Sequence, residues 1–275
     1  MPPPRVPLMM DASTPDERAV ATFAKVPEVT LVFWLVKIAA TTLGETGGDA
    51  VTMSWLGETA PGASGMGYLI GTGIFGALFA AAVWAQVRAP RFHPAPYWFA
   101  IIASTTVGTT LADYVTRALG LGYAGGSGLL LAMVLGVLWW WKRTLGSVSV
   151  GSVGDPETEG FYWLAIMCSQ TLGTALGDWV ADTSGLGYAG AMALFGGALA
   201  VVAALYFRTR LSRTLLFWVA FVLTRPLGVV VGDFLDKPVA RGGLELSRYS
   251  ASAVLLVFIL GCIVLFPQRA AARAH

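Results

Sequence analysis

Eight apolar stretches, separated by short polar interruptions, make up most of this 275-residue chain. They fall near residues 29–52, 66–87, 97–118, 122–141, 161–181, 187–207, 214–235 and 249–266. Each is close to the roughly 20 helical residues needed to cross a hydrocarbon core of about 30 Å. The pattern predicts eight transmembrane helices and no sheet. A longer period lies over it, because the segments TTLGETGGDAV, TTVGTTLADYV, QTLGTALGDWV and RPLGVVVGDFL each place a glycine five residues before an aspartate. The pairs are Gly44 and Asp49, Gly108 and Asp113, Gly173 and Asp178, and Gly228 and Asp233, with the glycines 64, 65 and 55 residues apart. Such a spacing marks four internal repeats. Each repeat reads as a two-helix hairpin, with the motif late in the first helix. The second helix opens on GMGYLIG, GLGYAGG or GLGYAGA, carrying Tyr68, Tyr123 and Tyr188, and on the diverged LSRYSAS around Tyr249 in the fourth repeat.

A hairpin of two crossings returns to its starting side, so four consecutive hairpins are parallel. The predicted fold is an all-α integral membrane bundle of eight transmembrane helices in four parallel two-helix repeats, pseudo-symmetric about an axis along the membrane normal. Residues 1–26 read as a cytoplasmic tail, 27–143 as repeats one and two, 144–160 as a polar cytoplasmic linker, 161–266 as repeats three and four, and 267–275 as a second tail. The joints between hairpins carry Arg88, Arg91 and His93, then Lys142 and Arg143, then Arg208, Arg210 and Arg213, with Arg269 and Arg273 after the last helix. By the positive-inside rule these joints and both termini face the cytoplasm. The fourth turn departs from the pattern, with Lys237, Arg241 and Arg248 on the opposite side.

Composition agrees with the hydropathy pattern. Hydrophobic residues make up 56%, charged residues 12%, and the mean hydropathy is +0.67, whereas about a quarter of a soluble domain is charged. The net charge of +2 is spread over the joints and forms no nucleic-acid patch. Cys168 and Cys262 lie apart in apolar runs, which argues against a disulfide framework or a thiolate metal site. There is no P-loop, no HExxH and no histidine in the spans, so ATP-driven transport by this chain alone is excluded and hydrolytic enzyme chemistry is disfavoured.

Carboxylates inside a span are costly and mark function by default. Helical spacing of four and seven residues back from each aspartate predicts a polar stripe of Thr42, Glu45 and Asp49, then Thr106, Thr109 and Asp113, then Thr171, Thr174 and Asp178. The fourth repeat has Pro226, Val229 and Asp233, keeping only the carboxylate, so a bound ion is expected nearer repeats one to three. The motif glycines let the first helices approach closely and bring the stripes together. An all-oxygen set suits hard divalent cations. Lys37 and Arg225 are the basic residues expected on the same helices, as counter-ions or gating groups, while Asp182 and Asp236 form a vestibule one turn beyond. Five acids, Glu45 among them, against these two bases leave a formal excess of three negative charges. An alternative is that the aspartates only pin the hairpin turns, taking hydrogen bonds from turn amides or from the recurrent tyrosines.

On TTLGETGGDAV, TTVGTTLADYV and GLGYAG, the chain resembles a family of bacterial integral membrane proteins described as uncharacterised membrane-anchored proteins. The likeness covers residues 27–266 and implies a repeat bundle in the bacterial inner membrane. More distantly, the acidic, glycine-bearing helices look like those of repeat-built manganese and calcium exporters. The expected function is secondary transport of a divalent metal cation, manganese export foremost, coupled to protons or to the membrane potential. Its expected partners are membrane lipid and the ion, with no nucleic acid and no resident cofactor, and a homo-oligomer is compatible with the sequence. Three other functions compete with it. One is an organic-cation or proton-coupled solute carrier using Tyr114, Trp179 and Phe234, which follow three of the aspartates. Another is a membrane assembly or sensor protein with structural aspartates. The last is an intramembrane enzyme, which the missing motifs make least favoured.

Overall fold

The computed structural model describes residues 25–148, 153 and 155–271. Among these residues lie eight α-helices and no β-strand: α1 (Leu31–Asp49), α2 (Met66–Arg88), α3 (Pro94–Asp113), α4 (Gly122–Leu145), α5 (Pro156–Thr183), α6 (Gly187–Arg208), α7 (Arg213–Asp236) and α8 (Arg248–Leu265). α1 runs on into a π-helical stretch, Ala50–Trp55, and α3 into another, Tyr114–Ala118. Local chemistry sets several of the boundaries. Thr30 caps α1 by accepting from the Phe33 amide at 3.2 Å, Ser212 caps α7 from Leu215 at 3.3 Å, and Asp155 caps α5 from Glu157 and Thr158 at 3.1 and 3.0 Å. The Gly-Leu-Gly starts of α4 and α6 are explained by backbone geometry. Gly120, Gly122, Gly185 and Gly187 take φ of 68°, 65°, 76° and 61°, where a side chain would be strained.

The first helices of the repeats, α1, α3, α5 and α7, form a closed inner ring, each packed on the next and α7 on α1. The second helices stand outside it. Each outer helix packs mainly on the inner helix of the following repeat rather than on its own hairpin partner: α2 on α3, α4 on α5, α6 on α7, and α8 back on α1. The chain therefore interlocks its repeats and closes the circle with its last helix.

Glycines set how close the inner helices come. A Cβ at Gly44 would lie 2.2 Å from Thr105 Oγ1, at Gly108 3.0 Å from Gln170 Cβ, at Gly173 2.4 Å from Arg225 Cγ, and at Gly228 2.1 Å from Thr41 Oγ1. Thr41, Thr105, Gln170 and Arg225 each stand three residues before a motif glycine, so one contact recurs four times around the ring. Equivalent residues meet in the same chain direction, which makes the inner helices parallel, as the repeats predict.

One end of the ring is sealed by aromatic side chains. Each inner helix carries an aromatic residue followed by tryptophan, as Phe33-Trp34, Tyr97-Trp98, Tyr162-Trp163 and Phe217-Trp218. The first ring of each pair meets the tryptophan of the next repeat: Phe33 with Trp98 at 5.5 Å, Tyr97 with Trp163 at 5.7 Å, Tyr162 with Trp218 at 6.3 Å, and Phe217 with Trp34 at 5.9 Å between centroids. These are ordinary aromatic-pair separations. The joints between repeats lie at this end, called here the joint end, and the repeat aspartates lie towards the other, the turn end. Chain segments tie across the joint end: Lys25 donates its amide to Val153 at 2.9 Å and its ammonium lies 2.7 Å from Glu159, while Ala271 donates to Val26 at 2.9 Å. Lys25 and Val26 of the expected first tail, Val153 of the expected linker and Ala271 of the expected last tail are buried. Residues 1–24, 149–152, 154 and 272–275 of those segments lie outside the described residues.

Five helices, α2, α4, α6, α7 and α8, are long and apolar enough to cross a membrane. The outer ones bury at most 22% of their apolar window inside the protein, whereas α7 buries 67%. α1, α3 and α5 fall short of that standard because the polar residues of the motif occupy the ring interior, screened by the outer helices. α7, although an inner helix, meets the standard, having Val229 where the other inner helices carry Glu45, Thr109 and Thr174.

The ring geometry makes a direct prediction. Gly228→Ala and Gly44→Ala each drive a methyl into a threonine and the backbone beneath it, and overpacking of this kind costs about 1–3 kcal/mol. Thermal unfolding in detergent is expected to show a clear loss of stability for both. Gly73→Ala, which meets nothing within 4 Å, is expected to match or slightly exceed the parent.

Candidate functional site

Residues spaced by four along the inner helices stack in tiers down the ring. A row of this spacing runs obliquely along a helix and forms the i±4 ridge used in close helix packing. From the joint end, the tiers are the aromatic residues Phe33, Tyr97, Tyr162 and Phe217; then Lys37, Ile101, Ile166 and Phe221; then Thr41, Thr105, Gln170 and Arg225; then Glu45, Thr109, Thr174 and Val229; and last the four aspartates. All twenty side chains are buried.

Arg225 occupies the centre. It is 0% exposed and donates to the other three inner helices: to Thr41 O at 2.7 Å and Glu45 Oε2 at 3.1 Å on α1, to Thr105 O at 3.2 Å and the Thr109 hydroxyl on α3, and to Gln170 O at 3.4 Å and the Thr174 hydroxyl at 2.7 Å on α5. Guanidinium is suited to this place because its five donors lie in a fixed planar fork. Two neighbouring threonines join the helices in the same tier, Thr105 donating to Ala40 O at 3.2 Å and Thr41 to Thr224 O at 3.3 Å.

The aspartates are ion-paired two by two. Lys237 Nζ lies 2.7 Å from Asp49 and 3.0 Å from Asp233, and Arg117 lies 2.8 Å from Asp113 and 3.2 Å from Asp178. Each cation sits four residues after the aspartate of its own repeat and reaches across to the aspartate of the next. Beyond them Arg248 binds Asp236 at 2.6 Å and Ser54 at 2.9 Å. One oxygen from each of Glu45, Asp49 and Asp233 comes within 4.8 Å of the others. Asp49 Oδ1 has no hydrogen-bond partner among the described residues.

The polar stripe differs from its sequence prediction by one residue. Thr42, Thr106 and Thr171 donate one turn back, to Ile38, Ile102 and Met167 at 3.1, 2.9 and 3.0 Å, and take no part in the network. The tier holds Thr41, Thr105, Gln170 and Arg225 instead, because close packing at the motif glycines selects the four-residue ridge. Thr109, Thr174 and Glu45 stand where predicted, but on Arg225. Repeat four contributes more than expected, since Asp233 approaches Glu45 and Asp49. Lys37 stays apart from the acids, its ammonium 4.1 Å over the Phe221 ring and without a hydrogen-bond partner among the described residues.

Of the predicted vestibule, Asp236 is buried on Arg248, while Asp182 is exposed and accepts from Tyr123 at 2.7 Å. No recurrent tyrosine hydrogen-bonds a repeat aspartate among the described residues. Trp179 is 38% exposed, and Phe234 packs in an apolar cluster with Tyr188. Arg117 and Lys237 were not anticipated as site residues, although their place one turn beyond Asp113 and Asp233 was visible. With both included and Lys37 set apart from the acids, five carboxylates face three cations, Arg117, Arg225 and Lys237, a formal excess of two.

A closed ring of repeated hairpins around a buried carboxylate and guanidinium network defines an all-helical repeat protein with several helices fit to cross a membrane. The chain belongs to the Repeat of Unknown Function (DUF347) family, whose repeat matches residues 32–92, 96–147, 161–212 and 216–267. These four matches coincide with the four hairpins. No curated protein and no solved structure matches the chain, so the likeness to manganese and calcium exporters gains no support.

Arg225 and Glu45 supply the next prediction. Removing one partner of a buried ion pair costs about 3–5 kcal/mol, whereas replacing both by neutral groups can be close to neutral. Arg225→Met is therefore expected to lose most folded protein, read by size-exclusion yield and thermal unfolding. Adding Glu45→Gln is expected to restore part of the loss.

Proposed function

We propose that this protein is a multi-pass membrane transporter of a divalent cation, with Glu45, Asp49 and Asp233 as the ion's protein ligands. The observation that carries the reading is the approach of three buried carboxylate oxygens from α1 and α7 to within 4.8 Å of one another, with Asp49 and Asp233 sharing the Lys237 ammonium. Oxygen-only donors suit Mg²⁺, Ca²⁺ and Mn²⁺, and Mn²⁺ is the first ion to test. Lys237 holds Asp49 and Asp233 together, so an incoming cation exchanges with it. The lysine swings aside and keeps the local charge change small. Arg117, bridging Asp113 and Asp178, serves as a fixed lock on the opposite side of the ring.

All eight helices cross the membrane in this proposal, with α1, α3 and α5 screened from lipid by the outer helices. The membrane is the bacterial inner membrane, and the joint end and both termini face the cytoplasm. The aromatic circuit is the closed barrier on that side, while at the turn end the passage is closed chiefly by ion pairs. Metal binding requires ionised carboxylates, so protons compete with the ion and coupling needs no further cofactor. An accessibility reporter placed after Arg88 is expected on the cytoplasmic side, and finding it outside would overturn the orientation.

A charge-assisted hydrogen bond contributes about 1.5–3 kcal/mol, and each 1.4 kcal/mol is tenfold in affinity. Lys237→Met is therefore expected to tighten Mn²⁺ binding by about tenfold or more in calorimetry while slowing release in proteoliposomes. Asp49→Asn is expected to abolish both binding and flux, with little loss of folded protein. Wild-type flux of Mn²⁺, Mg²⁺ and Ca²⁺ in the Asp49→Asn protein would leave the aspartates as structural pins.

A further inference from the structure

Two lateral grooves lie on the outer wall at the joint end, and they are built alike. The first, about 470 Å³, runs between α6, α7 and α1 and is lined by Trp34, Leu199, Ala203, Tyr206, Arg213 and Phe217, among others. The second, about 570 Å³, lies between α2 and α5, with Phe79, Ala80, Trp84, Arg88, Trp163 and Leu164 on its walls. Both volumes fall in the range of small-molecule sites, about 300–1,000 Å³. The grooves are related by a shift of two repeats, since each opens between an outer helix and the inner helix of the repeat two further on.

The mouth of each groove holds an arginine stacked on an aromatic ring of the outer helix. Arg88 lies 4.2 Å over Trp84, and Arg213 lies 4.1 Å over Tyr206, whose carbonyl also takes a hydrogen bond from its guanidinium. The joints that follow the two outer helices contain no carboxylate. Residues 208–213 read Arg-Thr-Arg-Leu-Ser-Arg, residues 88–93 read Arg-Ala-Pro-Arg-Phe-His, and Glu159 beside the second groove is held by Lys25. A long apolar trough ending at an exposed, oriented guanidinium matches an amphiphile with an acyl chain and an anionic head.

We infer that the grooves at α6/α7/α1 and α2/α5 are binding sites for an anionic phospholipid, with an acyl chain in each trough and the phosphate on Arg213 or Arg88. The inference stands independently of the transported cargo. Arginine fits the phosphate role because its planar fork pairs two donors with two phosphate oxygens. The tail in the first groove rests on Trp34 and Phe217, and the tail in the second on Trp163. All three belong to the aromatic circuit, so a bound lipid braces the seal from outside.

The test is native mass spectrometry of the full chain, released from nanodiscs of phosphatidylcholine with a minor fraction of phosphatidylglycerol. The wild type is expected to retain up to two phosphatidylglycerol molecules in preference to phosphatidylcholine. Ala203→Trp and Ala80→Trp fill the first and second trough from exposed positions, so each is expected to retain at most one, and the double variant none. Arg213→Gln combined with Arg88→Gln is expected to erase the preference for the anionic lipid while leaving thermal stability in phosphatidylcholine alone unchanged. Phosphatidylglycerol is expected to raise the unfolding temperature of the wild type and not that of the double tryptophan variant. Equal retention of the two lipids by the wild type, or unchanged retention in the filled variants, would overturn the inference.

Discussion

Arg225 is the contact on which the rest of the structure depends. A guanidinium with no exposure to water is tolerable only where nearly every donor is met, and here the acceptors come from three other helices. None of α1, α3 or α5 can shift outward without stranding a buried charge. Among the described residues, Glu45 is the only carboxylate that contacts it. The remaining acceptors are backbone carbonyls and hydroxyls, which the motif glycines make reachable by letting the helices approach. The glycines and the arginine thus form one device: each Gly-to-Ala change that widens the ring also pulls an acceptor away from the guanidinium.

The interlocked outer helices follow from the same centre. Motif positions crowd the inner helices with threonines and acids, so these helices need cover that is apolar on its outward side. α2, α4, α6 and α8 provide it, and by packing on the next repeat they tie each hairpin to its neighbour. The hydroxyls left facing outward find partners there, Thr46 with Ser252 of α8 at 2.8 Å and Thr110 with Thr72 of α2 at 3.0 Å. In an apolar surround such pairs remove the cost of an unsatisfied group, although each contributes only about 1 kcal/mol.

Much of this was legible in the sequence. The repeat period gave the four hairpins, the hydropathy gave eight helices close to their observed limits, and the Gly/Asp motif located the buried site. The face of the inner helices was not legible, because spacings of three and of four both keep residues on one side of a helix over a single turn. Thr41 and Thr42 are adjacent, and only the neighbouring helix decides between them. The aromatic circuit was present as an aromatic-tryptophan pair in every repeat, at 33–34, 97–98, 162–163 and 217–218. Read singly, those residues look like anchors at a membrane surface, and their cyclic pairing appears only once the helices are parallel and in register. Arg117 lies within the apolar stretch at 97–118 and Lys237 just past the one at 214–235, but their reach across to Asp178 and Asp49 depends on the ring and on no spacing along the chain.

Repetition is fourfold but charge is twofold, and the seams between repeats show why that matters. Lys237 joins repeats four and one, Arg117 joins repeats two and three, and Arg225 to Glu45 again joins four and one. Both aspartate clamps therefore lie between the halves that the segment at 144–160 separates in sequence, rather than within either half. The seam between repeats one and two meets at this level through Gly48 against Thr109, and that between three and four through Gly177 against Val229, close contacts with no ion pair between their aspartates. Packed seams of that kind resist change, whereas an ion pair can exchange one cation for another. A cation taken up by Glu45, Asp49 and Asp233 would thus act on a seam between halves, displacing Lys237 while Arg225 and the aromatic circuit hold the ring further in. The two lateral grooves open across the same division, so the carboxylates at one end and the troughs at the other both lie where the two four-helix halves meet.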